Sequence, residues 1–193
     1  MKKRLLIFTL LLMVLSGYCC AAKDWSFPSP GTFIPGETKY EQVIAVYGKP
    51  NDIESKTNDQ GVFKDIAYTK SKGSLGGITP VRRLGFHFKD EVLIGYEFTS
   101  SYKDDSTDFD ETKVNQIKKG ETTWQKAVEI MGSNYGLYIY PLTSKPAERS
   151  LVYLYSQTKG SAFNLKVYTK TLVITYGANN IVSNISLDIT GER

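Results

Sequence analysis

Gly36-Glu37-Thr38-Lys39-Tyr40-Glu41-Gln42-Val43-Ile44-Ala45-Val46-Tyr47-Gly48-Lys49-Pro50 decides the fold, because it occurs twice. Gly120-Glu121-Thr122-Thr123-Trp124-Gln125-Lys126-Ala127-Val128-Glu129-Ile130-Met131-Gly132 repeats it without a gap, 84 residues further on. Each copy reads as one short helix with both ends marked. Thr38 with Glu41, and Thr122 with Gln125, have the spacing of a capping box, in which the hydroxyl accepts from a first-turn N–H and the longer side chain reaches back. Apolar residues fall at i, i+3, i+4 and i+7: Tyr40, Val43, Ile44 and Tyr47, then Trp124, Ala127, Val128 and Met131. That is one buried helix face. Gly48 and Gly132 stand at the C-terminal cap, and Pro50 stops the first helix from continuing. Capping and packing account for all these residues, so the stretch builds a unit rather than carrying chemistry.

Working outward, each copy is followed by strands. Leu84-Gly85-Phe86-His87-Phe88-Lys89 alternates with period two, Asp90-Glu91 turns the chain, and Val92-Leu93-Ile94-Gly95-Tyr96-Glu97-Phe98 returns. Residues 62–69 form a further strand with Ile66 and Tyr68 on one side, and 51–61 holds a short one. In the second half, strands are expected at 135–142, 151–155, around Phe163, Leu165 and Val167, at 172–176 and at 181–189. Asn179-Asn180 make the last turn, since asparagine tolerates positive φ. The repeat extends through these strands. Leu84, Phe86 and Phe88 match Leu172, Ile174 and Tyr176 at offset 88; Val92, Tyr96 and Phe98 match Ile181, Ile185 and Leu187 at offset 89; Ile66 and Tyr68 match Leu151 and Tyr153 at offset 85. A drift from 84 to 89 is what loop-length changes produce, and two units of this size indicate duplication rather than a solenoid.

The expected fold is therefore α+β: two tandem repeats, each a short helical segment packed on an antiparallel sheet. The repeats are placed at 33–100 and 110–193, joined by a polar, acidic linker at 101–109. Residues 110–117 suggest an extra helix capped by Asp110, with Val114 and Ile117 inward. The Gly-rich segment 71–80 reads as a loop. The Pro- and Ser-rich 23–32 reads as an extended arm.

Residues 1–22 read as a signal peptide: Lys2, Lys3 and Arg4, then an apolar run at 5–15 and small residues up to Ala22. The run is short of the roughly 20 residues of a membrane span. The chain is thus expected outside the cytoplasm, in the periplasm or at the outer membrane, or else secreted. Its net charge of +4 belongs mostly to this leader; without it 21 basic residues face 20 acidic ones, which does not suggest a nucleic-acid partner. Both cysteines, Cys19 and Cys20, end the leader. Cleavage after Ala22 removes them; lipidation at one of them is the other reading, and a lipid anchor is then the chain's one link to a membrane.

The first copy resembles the SmpA/OmlA family, which includes the outer-membrane assembly factor BamE. Gly36, Thr38, Val43, Gly48 and Pro50 match its pattern, with Tyr68, Leu84, Phe86, Phe88 and Val92 following. The second copy matches more loosely: Gly120, Thr122, Ala127 and Gly132 are present, and Ser133-Asn134 replace the proline position. Two such units in tandem resemble the fold of the β-lactamase inhibitory protein, in which helices pack on one face of the strands and the sheets make a concave surface. The resemblance implies a non-enzymatic protein-binding module of the bacterial envelope. The alternative it implies is a secreted enzyme inhibitor. The matched residues are caps, turns and core, and fold alone does not transfer a binding residue.

Chemistry-bearing constellations are sparse. His87 is the single histidine, and without the leader no cysteine remains, so zinc would have carboxylates almost alone. No Ser-His-Asp arrangement can be built around it. Asp104, Asp105, Asp108, Asp110 and Glu111 lack the spacing of a calcium loop and read as a solvated linker. No catalytic residue, metal site or cofactor is expected. The candidates for protein binding are the outward strand positions Arg83, His87, Lys166 and Tyr168, placed opposite the helix-covered face; tyrosine and arginine are common interface anchors. For His87 a plain solvated surface position is the other reading.

Overall fold

The computed structural model describes residues 27–29, 31–71, 78–161 and 164–192. Residues 1–22 with Cys19 and Cys20, residues 23–26 and 30 of the expected arm, 72–77 of the expected loop at 71–80, and Phe163 lie outside them; Ile78–Thr79, also expected in that loop, form a short strand. In chain order the elements are α1 (Tyr40–Tyr47), β1 (Asp52–Asn58), β2 (Gly61–Ser71), β3 (Ile78–Thr79), β4 (Val81–Lys89), β5 (Val92–Ser100), a 3-10 turn (Glu111–Gln116), α2 (Trp124–Met131), β6 (Gly136–Ile139), β7 (Arg149–Ser161), β8 (Asn164–Tyr176) and β9 (Val182–Thr190). The strands make one antiparallel sheet in the order β1-β2-β4-β5-β6-β7-β8-β9, and β3 pairs with the far end of β7.

Two adjacent cross-strand rows explain the sheet. Ile53, Ile66, Phe86, Tyr96, Leu137, Leu151, Ile174 and Ile185 face one another from edge to edge. Directly opposed residues share a face, and this face carries the core. The next row, on the other face, is Glu54, Asp65, His87, Gly95, Tyr138, Ser150, Thr175 and Asn184. Period-two alternation thus sorts apolar from polar across eight strands.

Both helices lie on the apolar face. Val43 is fully buried among Phe33, Tyr68, Phe86, Phe88 and Phe98, with Tyr40, Ile44 and Tyr47 alongside. Ala127 is buried against Leu151, Tyr153, Leu172, Ile174 and Tyr176, with Trp124, Val128 and Met131 alongside. These are the helix positions expected from the i, i+3, i+4, i+7 spacing. Leu137 packs against both clusters and joins them.

Hydrogen bonds around the two helices match in pairs. The Tyr68 hydroxyl donates to the Gly48 carbonyl at 2.7 Å, and the Tyr153 hydroxyl to the Gly132 carbonyl at 2.9 Å. Gly36 N–H donates to Leu93 O and Gly120 N–H to Val182 O, at 2.7 and 2.8 Å. Gly48 and Gly132 have φ of 78° and 94° with strongly extended ψ, a region essentially closed to other residues. The hairpins match as well: each contains one register shift, at Ile94 and at Ser183.

Three expectations need correction. Thr38 and Thr122 do not cap the helices; their hydroxyls accept from Ile34 N and Lys118 N at 2.8 and 2.7 Å, inside the preceding turn. Their carbonyls are held by Leu93 and Val182, so the cap moves one residue on. There Gln42 accepts from Lys39 N, and Thr123 accepts from Lys126 N. The strand expected around Phe163, Leu165 and Val167 and the one expected at 172–176 are a single strand over the described residues, β8 (Asn164–Tyr176). The acidic segment is no solvated linker. Asp105 pairs with Arg82 at 2.7 Å, and Asp108 and Glu111 pair at 2.5 and 2.9 Å with Lys170, which is 1% exposed on β8. Residues 110–117 do turn helically, as a 3-10 turn capped by Asp110 through Thr112 N. The longest link is thus a strap fastened at both ends.

Candidate functional site

The face away from the helices has its polar centre at His87. β4 positions it: Leu84, Phe86 and Phe88 enter the core, so Arg83, Gly85 and His87 point the other way. The His87 ring lies between two carboxylates. Nδ1 meets Asp65 of β2 at 2.6 Å, and Nε2 meets Glu97 of β5 at 2.7 Å. The Tyr138 hydroxyl, from β6, donates to the same Glu97 oxygen at 2.9 Å, and its ring stands edge-on to the imidazole with centroids 5.6 Å apart. The Arg83 guanidinium is 3.6 Å from the other Glu97 oxygen and about half exposed.

Two glycines make room for this arrangement. Glu97 faces Gly85 across the β4–β5 pair, and a Cβ at Gly85 would come within 2.2 Å of the Glu97 carboxylate. Gly95 lies between His87 and Tyr138 in the row; a Cβ there would meet both the Tyr138 ring and Leu142 at 2.6 Å. Leu142 belongs to the loop after β6, which folds over this face. Between that loop and Ser150, Thr175 and Asn184 remains a cleft of 490 Å³, with Lys119 and Lys145 at its rim.

Electrostatics lock the network into one charge state. Burial alone would push the His87 pKa down, but the hydrogen bond and charge of Glu97, then those of Asp65, raise it from 6.5 to about 9. Burial would raise Glu97, yet His87, Tyr138 and Arg83 together hold it below its ordinary value. Tyr138 is pushed far above the ordinary phenol by burial and by the Glu97 charge. His87 is an imidazolium at neutral pH with both ring N–H groups engaged. It has no free lone pair for a metal or for accepting a proton, so the arrangement suits holding and presenting charge.

The four residues expected to face outward together do not. Arg83 and His87 share the open face, as expected, but His87 is held by carboxylates rather than solvated. Lys166 and Tyr168 lie on the helix side. Because β8 is continuous, they have the same parity as Lys170, Leu172, Ile174 and Tyr176. Lys166 pairs with Glu192 at 3.1 Å at the surface, and Tyr168 is buried with its ring beside that of Tyr155. Sequence reasoning missed Asp65, Glu97 and Tyr138. Glu97 was within reach, since it alternates onto the His87 side of the hairpin. Tyr138 was not, because its place depends on β5 pairing with β6.

No family model and no curated protein matches the chain. The SmpA/OmlA resemblance therefore rests on the quoted residues. Among solved structures, a Streptococcus mutans protein provisionally described as a beta-lactamase inhibitor protein is similar at 15% identity and a TM-score of 0.44, over 78% of this chain and 82% of that one. A likeness this distant carries nothing about what this chain binds.

Proposed function

We propose that the chain is a non-enzymatic protein-binding module of the bacterial envelope, built as a duplicated helix-and-sheet unit, that presents the open sheet face to its partner. The observation that carries this is the division of labour between the faces. Helices and core occupy one side; the other holds a fixed charge network whose centre, Glu97 and His87, is largely buried and whose Asp65 and Arg83 reach solvent. A pre-organised charged surface lowers the ordering cost of binding. The spent ring nitrogens of His87 favour binding over acid–base chemistry. The leader at 1–22 supports export, and Cys19 or Cys20 would supply the anchor if lipidated.

Affinity capture from envelope extract tests the reading. The unaltered chain is expected to retain a discrete partner, Arg83→Glu to lose it, and Lys166→Glu, on the other face, to keep it. Equal capture by all three, or by none, overturns the open-face assignment. Measurable inhibition of a β-lactamase by the chain would instead make it a secreted inhibitor. Palmitate labelling at Cys19 or Cys20 separates anchored from released forms.

A further inference from the structure

The two rows run through all eight strands and stop at the sheet edges, β1 and β9. Inside the chain the halves meet at one seam, where β5 lies against β6. Gly95 faces Tyr138 there, and Tyr96 faces Leu137. The seam recurs in outline at the edges. Glu54 and Ile53 of β1 stand 84 residues before Tyr138 and Leu137; Asn184 and Ile185 of β9 stand 89 residues after Gly95 and Tyr96. The outer edge of β9 is thus the counterpart of the β5 edge that the seam covers. The outer edge of β1 is the counterpart of the covered β6 edge. Among the described residues, β1 pairs only with β2 and β9 only with β8.

We propose that these edges pair between copies of the chain, β9 of one against β1 of the next, antiparallel and in the register of the internal seam. This rests on the duplicated-unit part of the reading above and not on the open face. The register sets Ile185 opposite Ile53 of the next copy. Ile53 is the one apolar residue of β1 and is 51% exposed, so the core row ends in an isoleucine at both edges. Pairing continues that row, as Leu137 continues it at the seam. Asn184 falls opposite Glu54, with Ser186 diagonal to it. Both offer donors to the carboxylate, as the Tyr138 hydroxyl does to Glu97 across the seam. In that register Asp52 faces Ser186, so no like charges directly oppose there, and Asp188 lies diagonal to Asp52. Pairing β1 with β1 about Glu54 would set that carboxylate against itself, which is destabilising. The contact is heterologous and can propagate. The charges on β1 keep it weak, since charged edges resist pairing.

A photo-crosslinking residue at position 54 tests this in the chain purified from the envelope. Within one copy, β1 and β9 are seven strand spacings apart, about 34 Å, so a cross-link from 54 to the 181–187 segment has to come from another copy. The expected result is that cross-link, with concentration-dependent association in sedimentation velocity that Ile53→Lys weakens about tenfold. Circular dichroism shows whether each variant is folded. Cross-links from 54 to 54, or a monomer even at millimolar concentration, overturn the proposal. Partner capture through Arg83 is unaffected by either outcome, so the two readings fail separately.

Discussion

The carboxylate of Glu97 lies over Gly85 and meets the imidazole of His87 at 2.7 Å, while the residue as a whole is 6% exposed. Removing the histidine leaves that carboxylate buried with Tyr138 and a distant Arg83 as its remaining partners. Breaking a buried ion pair from one side typically costs about 3 kcal/mol. His87→Ala is therefore expected to lower unfolding free energy by that order in urea titrations at pH 6, whereas Lys166→Ala, whose pair with Glu192 is exposed, changes it within error. Comparable small losses in both would show that the network adds nothing to stability.

The same pair sets a pH dependence with a defined sign. His87 is raised from 6.5 to about 9 in the folded chain, so its contribution is complete below 6.5 and is lost as pH rises through 9. Glu97 is lowered from 4.5, so its contribution is present above that value and lost as pH falls through its folded pKa. Stability from the network is then greatest between about 4.5 and 6.5 and declines toward pH 9, by about 3 kcal/mol for the histidine alone. Urea melts across pH 5 to 10 should show the alkaline decline in the unaltered chain and lose it in His87→Gln. A decline that persists in the variant would assign it to other groups.

Gly85 allows a sharper test of geometry. An added methyl would fall 2.2 Å from the Glu97 oxygen and 3.0 Å from its carboxyl carbon, so the side chain has to move off the histidine. Gly85→Ala is expected to bring the His87 pKa, read by NMR titration, down toward 6.5. In Glu97→Ala the obstruction is gone, so the same methyl should cost much less there; residues in contact commonly couple by about 1 kcal/mol or more. Additive effects would place Glu97 elsewhere.

How much of this was legible follows from the range of the interactions. The helices were, because caps, apolar spacing and terminal glycines all act within a few residues of Gly36–Gly48 and Gly120–Gly132. The Asp90-Glu91 turn was too; both residues take positive φ between alternating strands. β8 was misread because Thr169-Lys170-Thr171 looks like a break between apolar runs. It passes through the strand because Lys170, buried on the core side, is neutralised by Asp108 and Glu111 some 60 positions earlier. That one misreading shifted Lys166 and Tyr168 onto the wrong face. The site needed strand order: Asp65, His87 and Tyr138 come into one row only once β2, β4, β5 and β6 are known to be neighbours.

The paired tyrosines test the proposed duplication directly. Each hydroxyl closes the end of its helix by donating to a glycine carbonyl that the helix leaves unpaired. Tyr68→Phe and Tyr153→Phe should each cost about 1 kcal/mol, the net worth of one such bond, with packing of the ring preserved. Similar losses at both sites fit two equivalent units. A large loss at one and none at the other would mean the halves close their helices differently.

Lys170 holds the strap between the halves, and its loss should act locally. Asp108 and Glu111 are partly open to water, with side chains 25% and 38% exposed, so both can be hydrated once the lysine is gone. Lys170→Met keeps most of the buried volume beside Tyr155 and Phe109, and replacing a buried ion with a hydrophobe of similar size is often neutral. Global stability should then change by less than about 1 kcal/mol. The strap, however, loses both carboxylate tethers and the bond from Lys170 to the Phe109 carbonyl. It should open more often without global unfolding. Lys103 is exposed at its start, so limited trypsin digestion should cleave there several-fold faster in Lys170→Met than in the unaltered chain. Unchanged cleavage would show that Arg82 and Asp105 alone hold the strap in place.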